Sequence, residues 1–348
     1  MPTTRKTTKM QPTKAPKVSK APRDAAQTLT NAVIIEIEAQ LAAAERGDMV
    51  IMPWSKPWNN GSAMVGMPRS LATGKWYRGI NIFVLWLTAM SKGYTSDLWA
   101  TYKQIAERGG QVRKGEKSVE IVFWTIWKTT EMVNGKPVEK RIPFLRIFHV
   151  FNIEQADWPE GSRKPKTAEP VEATENPDQP IDHAMELVAD YLADGPSLDH
   201  DGGNRAFYTP KTDGVHMPEF EVFESAEHYY STLYHELTHS TGHDSRLKRD
   251  GIADGTFGPF GSETYSQEEL VAEMGAAMMC AIAGINQAAT MPASVAYIKH
   301  WLGKLREDKN LLIRAASQAQ KAVDRMIGTT FDQVEEEDEN NEQELVSA

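Results

Sequence analysis

The residues His235-Glu236-Leu237-Thr238-His239 make chemical sense only on an α-helix, and they constrain the fold more than any other feature of this sequence. Residues four apart lie on one helical face, so both imidazoles reach a single metal ion, and the Glu beside the first reaches a metal-bound water. The flanks suit such a helix. Ser225 is a ready N-cap, Leu233 and Leu237 share an apolar face, and Gly242 marks the stop. A chance match on a solvated helix would bring no such cap, face and stop together.

A catalytic metal of this kind needs a third protein ligand and an open position for water. The extended HExxHxxGxxH form would put a histidine at 245, where Ser245 stands. His243 is one turn on but points differently and is a lesser candidate. The other source is a downstream helix, where Glu269 and Glu273 lie four apart on one face. We therefore expect His235, His239 and Glu269 to hold zinc, or another divalent metal such as manganese, with Glu236 as general base. Glu273 is expected to accept the second ring N–H of a ligand histidine, and Glu268 to sit on the solvated face. The implied chemistry is amide hydrolysis. Tyr265, His228 and Arg246 are nearby as oxyanion donors, and nothing in the sequence selects among them. An edge strand for extended peptide is expected from Ala206 to Thr209 or from Val215 to Phe223.

The chain has 348 residues, 41% of them hydrophobic, which suffices for a substantial core in two domains or one large one. Its longest uncharged apolar run, Gly79 to Ser91, is 13 residues, short of the roughly 20 that span a bilayer. With one cysteine, Cys280, no internal disulfide forms. No secretory signal is visible, so we expect a cytoplasmic protein without a membrane partner. The net charge of -10 is unevenly spread: residues 1–158 hold 23 basic and 13 acidic side chains, and the rest hold 15 and 35. Much of that asymmetry is terminal, because residues 1–23 carry seven basic and no acidic groups and residues 332–348 eight acidic and no basic ones.

Residues 1–23 read as a disordered basic arm. Helical spacing from Asp24 to Arg46 opens a first domain over residues 24–158, with further helices at Ile82 to Ser91 and Thr101 to Arg108. Strands are expected at Val119 to Lys128 and Pro143 to Phe151, around an Asn134-Gly135 turn. Residues 159–180, rich in proline and charge, form a linker. The second domain, 181–328, carries the HExxH helix, a helix from Ser266 to Ile285 and a helical segment from Ser294 to Ile327. An acidic tail, 329–348, ends the chain. The fold class is α+β in two domains.

Eight of the nine tryptophans lie between residues 54 and 158, several beside cations. Single-stranded nucleic acid is held in this way: bases stack on rings and phosphates meet cations. Trp86, Trp99 and Trp124, inside apolar periodicity, read as core. Trp54, Trp58, Trp76 and Tyr77, in loop-like sequence, read as stacking candidates, with Lys56, Lys75, Arg78, Arg113, Lys114 and Lys117 as phosphate contacts.

Six segments together carry a family resemblance: PWSKPW (53–58), TGKWYRGINIFVLW (73–86), WATYKQIAERGGQVRKGEKS (99–118), VFNIEQAD (150–157), YYSTLYHELTHSTGHDSRL (229–247) and EELVAEMGAA (268–277). Over roughly residues 24–310 the chain resembles the ArdC-type antirestriction proteins of conjugative plasmids. The resemblance implies a mixed α/β N-terminal domain that binds single-stranded DNA, shared with TraC-type primases, and a C-terminal zincin-like metallopeptidase domain. It implies protection of incoming DNA from host restriction in a recipient bacterium, and leaves open whether a protein substrate is cut. Three functions compete: a metalloprotease directed by its DNA-binding domain, a DNA-binding shield with a structural metal, and a primase accessory. The last is weakest, because the sequence has no acidic triad or cysteine-rich zinc ribbon of the kind a primase core would show.

Overall fold

The computed structural model describes residues 25–48, 52, 66–133, 136–165, 181–253, 255, 262–285 and 295–329. The basic arm, Trp54, Lys56, Trp58, residues 166–180 of the expected linker and the tail beyond Thr329 lie outside them. Among the described residues no helix is long and apolar enough to cross a membrane.

The N-terminal part opens with α1 (Ala25–Glu45), followed by β1 (Arg69–Ser70), α2 (Ile80–Lys92), β2 (Leu98–Ala100), α3 (Tyr102–Glu107) and β3 (Gln111–Val112). A long hairpin, β4 (Val119–Val133) and β5 (Lys136–Asn152), and the short β6 (Ala156–Asp157) complete it. One sheet has the order β1-β2-β5-β4, and β3 pairs with β6. The hairpin runs further than the sequence suggests. Val119 pairs with Val150 and the register continues without a break to Val133 opposite Lys136, because cross-strand pairing carries the strands through polar stretches that hydropathy alone ends early. Val133 and Lys136 are separated by only Asn134-Gly135, the turn sequence expected there, which itself lies outside the described residues.

Helix α2 buries Ile82, Phe83, Leu85 and Trp86 and is apolar nearly all round, as a helix packed on several sides must be. Its buried Asn81 receives the Val122 N–H at 2.8 Å and donates to the Val122 carbonyl at 2.7 Å, so it satisfies the backbone of β4 at the sheet edge.

The C-terminal part is α4 (Asp182–Asp194), β7 (Ser197–His200), β8 (Phe207–Thr209), β9 (Gly214–Met217), α5 (Ala226–Ser240), α6 (Glu263–Ala283), α7 (Val295–Glu307) and α8 (Leu311–Met326). The helical segment expected from Ser294 to Ile327 is two helices, not one. An Asp308 side chain that accepts the Asn310 N–H at 2.9 Å turns the chain between them.

The apolar core passes through both parts. Leu29, Val33 and Ile37 of α1 belong to the same buried cluster as Ile298, Trp301 and Leu302 of α7. Thr30 donates to the Lys309 carbonyl at 2.7 Å, so the first helix packs on the last helices of the chain. A second junction is polar: Arg78 pairs with Asp324 of α8 at 2.5 Å, and the Gly79 N–H donates to Gln320 at 3.0 Å.

Candidate functional site

Ser225 caps α5 by accepting the His228 N–H at 3.3 Å. Two tyrosines fix the helix from behind: Tyr234 donates to the Ala184 carbonyl at 2.8 Å, and the Tyr191 and Ser240 hydroxyls lie 2.7 Å apart. Helix α6 crosses α5 and brings its own carboxylates to the histidine face. His235 Nε2 and His239 Nε2 stand 3.1 Å apart, with Glu269 oxygens 3.8 Å from the first and 3.6 Å from the second. One ligand-type atom from each of these residues lies within 4.8 Å of the others. Tetrahedral ligands at about 2.0–2.1 Å from an ion stand about 3.3–3.4 Å from one another, so the observed separations bracket what a bound divalent ion requires. Two imidazoles and a carboxylate are also a suitable donor set.

The second ring nitrogen of His239 does not meet Glu273. It donates to Glu268 at 3.1 Å, while Glu273 accepts from the Tyr297 hydroxyl. The reason is helical phase. With Glu269 aimed at the histidines, the preceding residue turns into the α5–α6 contact, so Glu268 is buried instead of solvated. Burial alone would raise its pKa, but the charge and hydrogen bonds of Arg249 and the His239 contact hold it below the ordinary carboxylate value. Arg249 itself, buried, was not legible as a site residue because no local spacing marks it.

Glu236 is buried beside the cluster. Desolvation raises its pKa, Glu269 adds to the rise, and His239 and the Tyr208 backbone hydrogen bond oppose it. Desolvation likewise raises Glu269, against the opposing charge of His239 and a hydrogen bond from Tyr265. Burial lowers His235, helped by His239; burial would also lower His239, but Glu268, Glu269 and Glu236 raise it.

Of the three oxyanion candidates, Arg246 is committed elsewhere, donating to the Ser240 carbonyl and to Asp213 at 2.9 Å each. His228 packs edge-on against Phe223. Tyr265 alone is hydrogen-bonded to the cluster, and desolvation together with Glu269 pushes its pKa up to about 12. His243 turns to Ser245 at 2.8 Å. In the order β7-β9-β8 the central strand is β9, so of the two stretches expected to pair with peptide only β8 has an edge that no strand covers among the described residues. It packs on α5, and the Tyr208 backbone of that strand is hydrogen-bonded to Glu236.

The N-terminal candidates separate by burial. Tyr77 is 4% exposed and hydrogen-bonded to Ser70, so it is a core residue with no face for a base. Arg78 is spent on Asp324. Arg113 donates to Glu116 at 3.0 Å and to the Glu154 carbonyl at 2.6 Å. Trp76 is 41% exposed, Lys75 is partly buried, and Lys114 and Lys117 are exposed. Trp86 and Trp99 are core, as expected. The structure adds Tyr102, 51% exposed, with its ring edge-on to Phe151 in a cleft shared with Val112, Arg113 and Lys114. Its position as the first residue of α3, after the Thr101 cap, is the signal that could have marked it as outward-facing.

A HExxH helix crossed by a carboxylate-bearing helix, with a small sheet packed on it, defines a zincin-like metallopeptidase fold. Residues 185–318 match the model of that family, and residues 23–151 match the N-terminal domain of the anti-restriction factor ArdC. The chain belongs to the ArdC antirestriction family. It is 36% identical to the antirestriction protein ArdC of plasmid R388 over 88% of this chain and 98% of that one. The TM-score is 0.64 for that protein's metal-free crystal structure and 0.62 for its Mn(II)-bound one. A Sinorhizobium fredii protein designated y4eC is 34% identical over 313 residues, 88% of this chain and 92% of its own length. An Escherichia coli DNA primase TraC is 37% identical over 300 residues, 82% of this chain; the chain spans 26% of that primase's length.

Proposed function

We propose that this protein binds single-stranded DNA, protects incoming DNA from host restriction in the cytoplasm of a recipient bacterium, and carries a divalent-metal peptidase centre. The observation that carries the catalytic part is the convergence of His235 Nε2, His239 Nε2 and a Glu269 oxygen beside buried Glu236. Zinc and manganese both suit that donor set. A divalent ion bound there supplies a Lewis acid for a scissile carbonyl and for water. Glu236 takes the proton from water and delivers it to the leaving amine. Tyr265, hydrogen-bonded to Glu269, serves as donor to the developing oxyanion, and extended peptide pairs with the edge of β8 beside Glu236.

The DNA-binding part draws on exposed Trp76 and Tyr102 for stacking and on Lys114 and Lys117 for phosphate. The Glu236→Gln variant tests the whole reading. It keeps the histidines and Glu269, so metal content and DNA binding persist, while peptide hydrolysis drops by about 10²- to 10⁴-fold. If hydrolysis by the variant equals that of the native chain, Glu236 is not the base. If protection from restriction is undiminished in the variant, protection works through DNA binding and the metal centre serves another end.

A further inference from the structure

The guanidinium of Arg249 makes a set of contacts that ordinary stabilisation of a loop does not require. Its Nε donates to Glu268 Oε2 at 2.9 Å and its Nη2 to Glu268 Oε1 at 2.6 Å, a two-pronged grip on one carboxylate. Its Nη1 donates to the Thr241 hydroxyl at 2.6 Å, and Nη2 also reaches the carbonyls of Thr238 at 2.6 Å and His239 at 3.3 Å. One side chain therefore ties the last turn of α5 to the acidic stretch of α6. The gripped oxygen, Glu268 Oε1, also accepts the Nδ1–H of His239.

The chain is folded to deliver this residue. After α5 it reverses through Lys248, a non-glycine residue in the left-handed region at φ 49°, and the Arg249 N–H donates back to the Gly242 carbonyl at 3.0 Å. Gly242 then has a role the sequence pattern does not reveal. It does not adopt a positive φ; instead, a Cβ there would stand 3.1 Å from Cζ and Nη2 of Arg249 and from Cβ of Ile252. A side chain at 242 would crowd both the guanidinium that holds Glu268 and the buried Ile252.

We propose that Arg249 is a positioning residue for the metal centre, holding Glu268, and through it His239, so that the three ligand atoms converge before an ion arrives. The inference rests on the metal-centre reading above. Its physical basis is pre-organisation: with Nδ1–H pinned to Glu268, the His239 ring presents Nε2 towards His235 and Glu269 in one tautomer and one orientation. Lysine cannot substitute, because a single ammonium cannot hold both carboxylate oxygens and the α5 carbonyls at once.

The test uses the full chain with Mn(II), Zn(II) and Co(II) as probes. Arg249→Lys and Arg249→Met should weaken Mn(II) and Zn(II) binding by about 10- to 100-fold, the range for loss of an outer contact to a ligand. The rise in Tm on adding metal should shrink accordingly, and the visible spectrum of the Co(II) form should change. Gly242→Ala keeps every ligand residue and the Arg249 side chain but crowds the guanidinium, and it should also weaken metal binding, so the test survives if the Arg249 variants do not fold. A merely structural Arg249 would lower the Tm of the metal-free chain and leave the affinity and the Co(II) spectrum as in the native protein. That result in folded Arg249→Lys or Gly242→Ala overturns the proposal. If the native chain itself binds none of the three ions, the metal-centre reading fails first and the role of Arg249 with it.

Discussion

Gly275 of α6 rests directly on Thr238 of α5: a Cβ at 275 would lie 2.6 Å from both the Cγ2 and Oγ1 of that threonine. Thr238 has little freedom to move aside, because its hydroxyl donates to the Tyr234 carbonyl at 2.7 Å. The missing side chain lets the two helices approach, and that approach brings Glu268 and Glu269 to the histidines.

Gly275→Ala should therefore destabilise the chain although alanine favours helix. The gain in helix propensity is at most about 1 kcal/mol, whereas forcing a methyl into a packed contact costs about 1–3 kcal/mol. We expect a net loss of up to about 2 kcal/mol in urea unfolding, accompanied by weaker metal binding as α6 is displaced. A variant as stable as the native chain, with unchanged metal affinity, would show that the helices adjust without cost.

Asp213 gives a pH dependence whose sign is set by its partners. Burial alone would raise its pKa, but hydrogen bonds from Arg246 and Tyr208, with the charges of Arg246 and His243, hold it below the ordinary 3.8. A depressed carboxylate stabilises the fold above its unfolded pKa and loses that contribution as pH falls through the lower folded value. Asn is the fitting replacement, because Asp213 has φ 50° and Asn tolerates that region. Asp213→Asn should be less stable than the native chain at about pH 7, and the gap should begin to narrow below about pH 4 and close only once the pH has fallen through the lower folded value. Chemical unfolding at pH values from about 7 to well below the ordinary carboxylate range measures it. A gap that stays constant would mean that the ion pair contributes no pH-dependent stability.

Local pattern made part of this protein legible. The HExxH spacing, the Ser225 cap and the Gly242 stop place α5 correctly, and the Glu269–Glu273 pair points to α6. What the pattern does not settle is rotation about the α6 axis. A helix that turns 100° per residue can aim Glu269 at the histidines with either 268 or 273 beside them, and only tertiary packing chooses Glu268. Arg249 is invisible for a related reason, since its partners are reached through a loop reversal and not through any periodicity. In the N-terminal part the sequence places Tyr77 and Arg78 in loop, which is true of the backbone. The burial of Tyr77 and the pairing of Arg78 with Asp324 depend on residues that close over them from elsewhere in the fold.

The pair Arg78 and Asp324 separates stability from DNA contact. Both side chains are largely buried, at 18% and 14% exposure, so Arg78→Met should leave a poorly solvated carboxylate and lower stability by about 1–3 kcal/mol. Single-stranded DNA affinity, measured on folded protein, should stay within about twofold, because a guanidinium already paired with Asp324 has little left for phosphate. A large, salt-dependent fall in DNA affinity with stability intact would restore Arg78 as a phosphate contact.

Exposed aromatics make the opposite prediction. Trp76 and Tyr102 present open ring surface, and Tyr102 stands in the same cleft as Lys114. Removing a ring on which a base stacks costs about 1–3 kcal/mol of binding, so Trp76→Ala and Tyr102→Ala should each weaken oligonucleotide binding by roughly 5- to 150-fold. Stability should change little, since neither ring is enclosed. Lys114→Ala should act differently: it should lower affinity across all base compositions and flatten the dependence of log K on log salt by about one phosphate's worth, near 0.7 for a single strand. Tyr77→Phe, which removes only a buried hydroxyl, should leave DNA binding unchanged. Fluorescence anisotropy of a labelled oligonucleotide at several salt concentrations separates these outcomes. If Trp76→Ala and Tyr102→Ala bind as tightly as the native chain while Lys114→Ala weakens binding, the surface holds DNA by charge alone. Bases would then face solvent, and single strand and duplex should bind alike in the same assay.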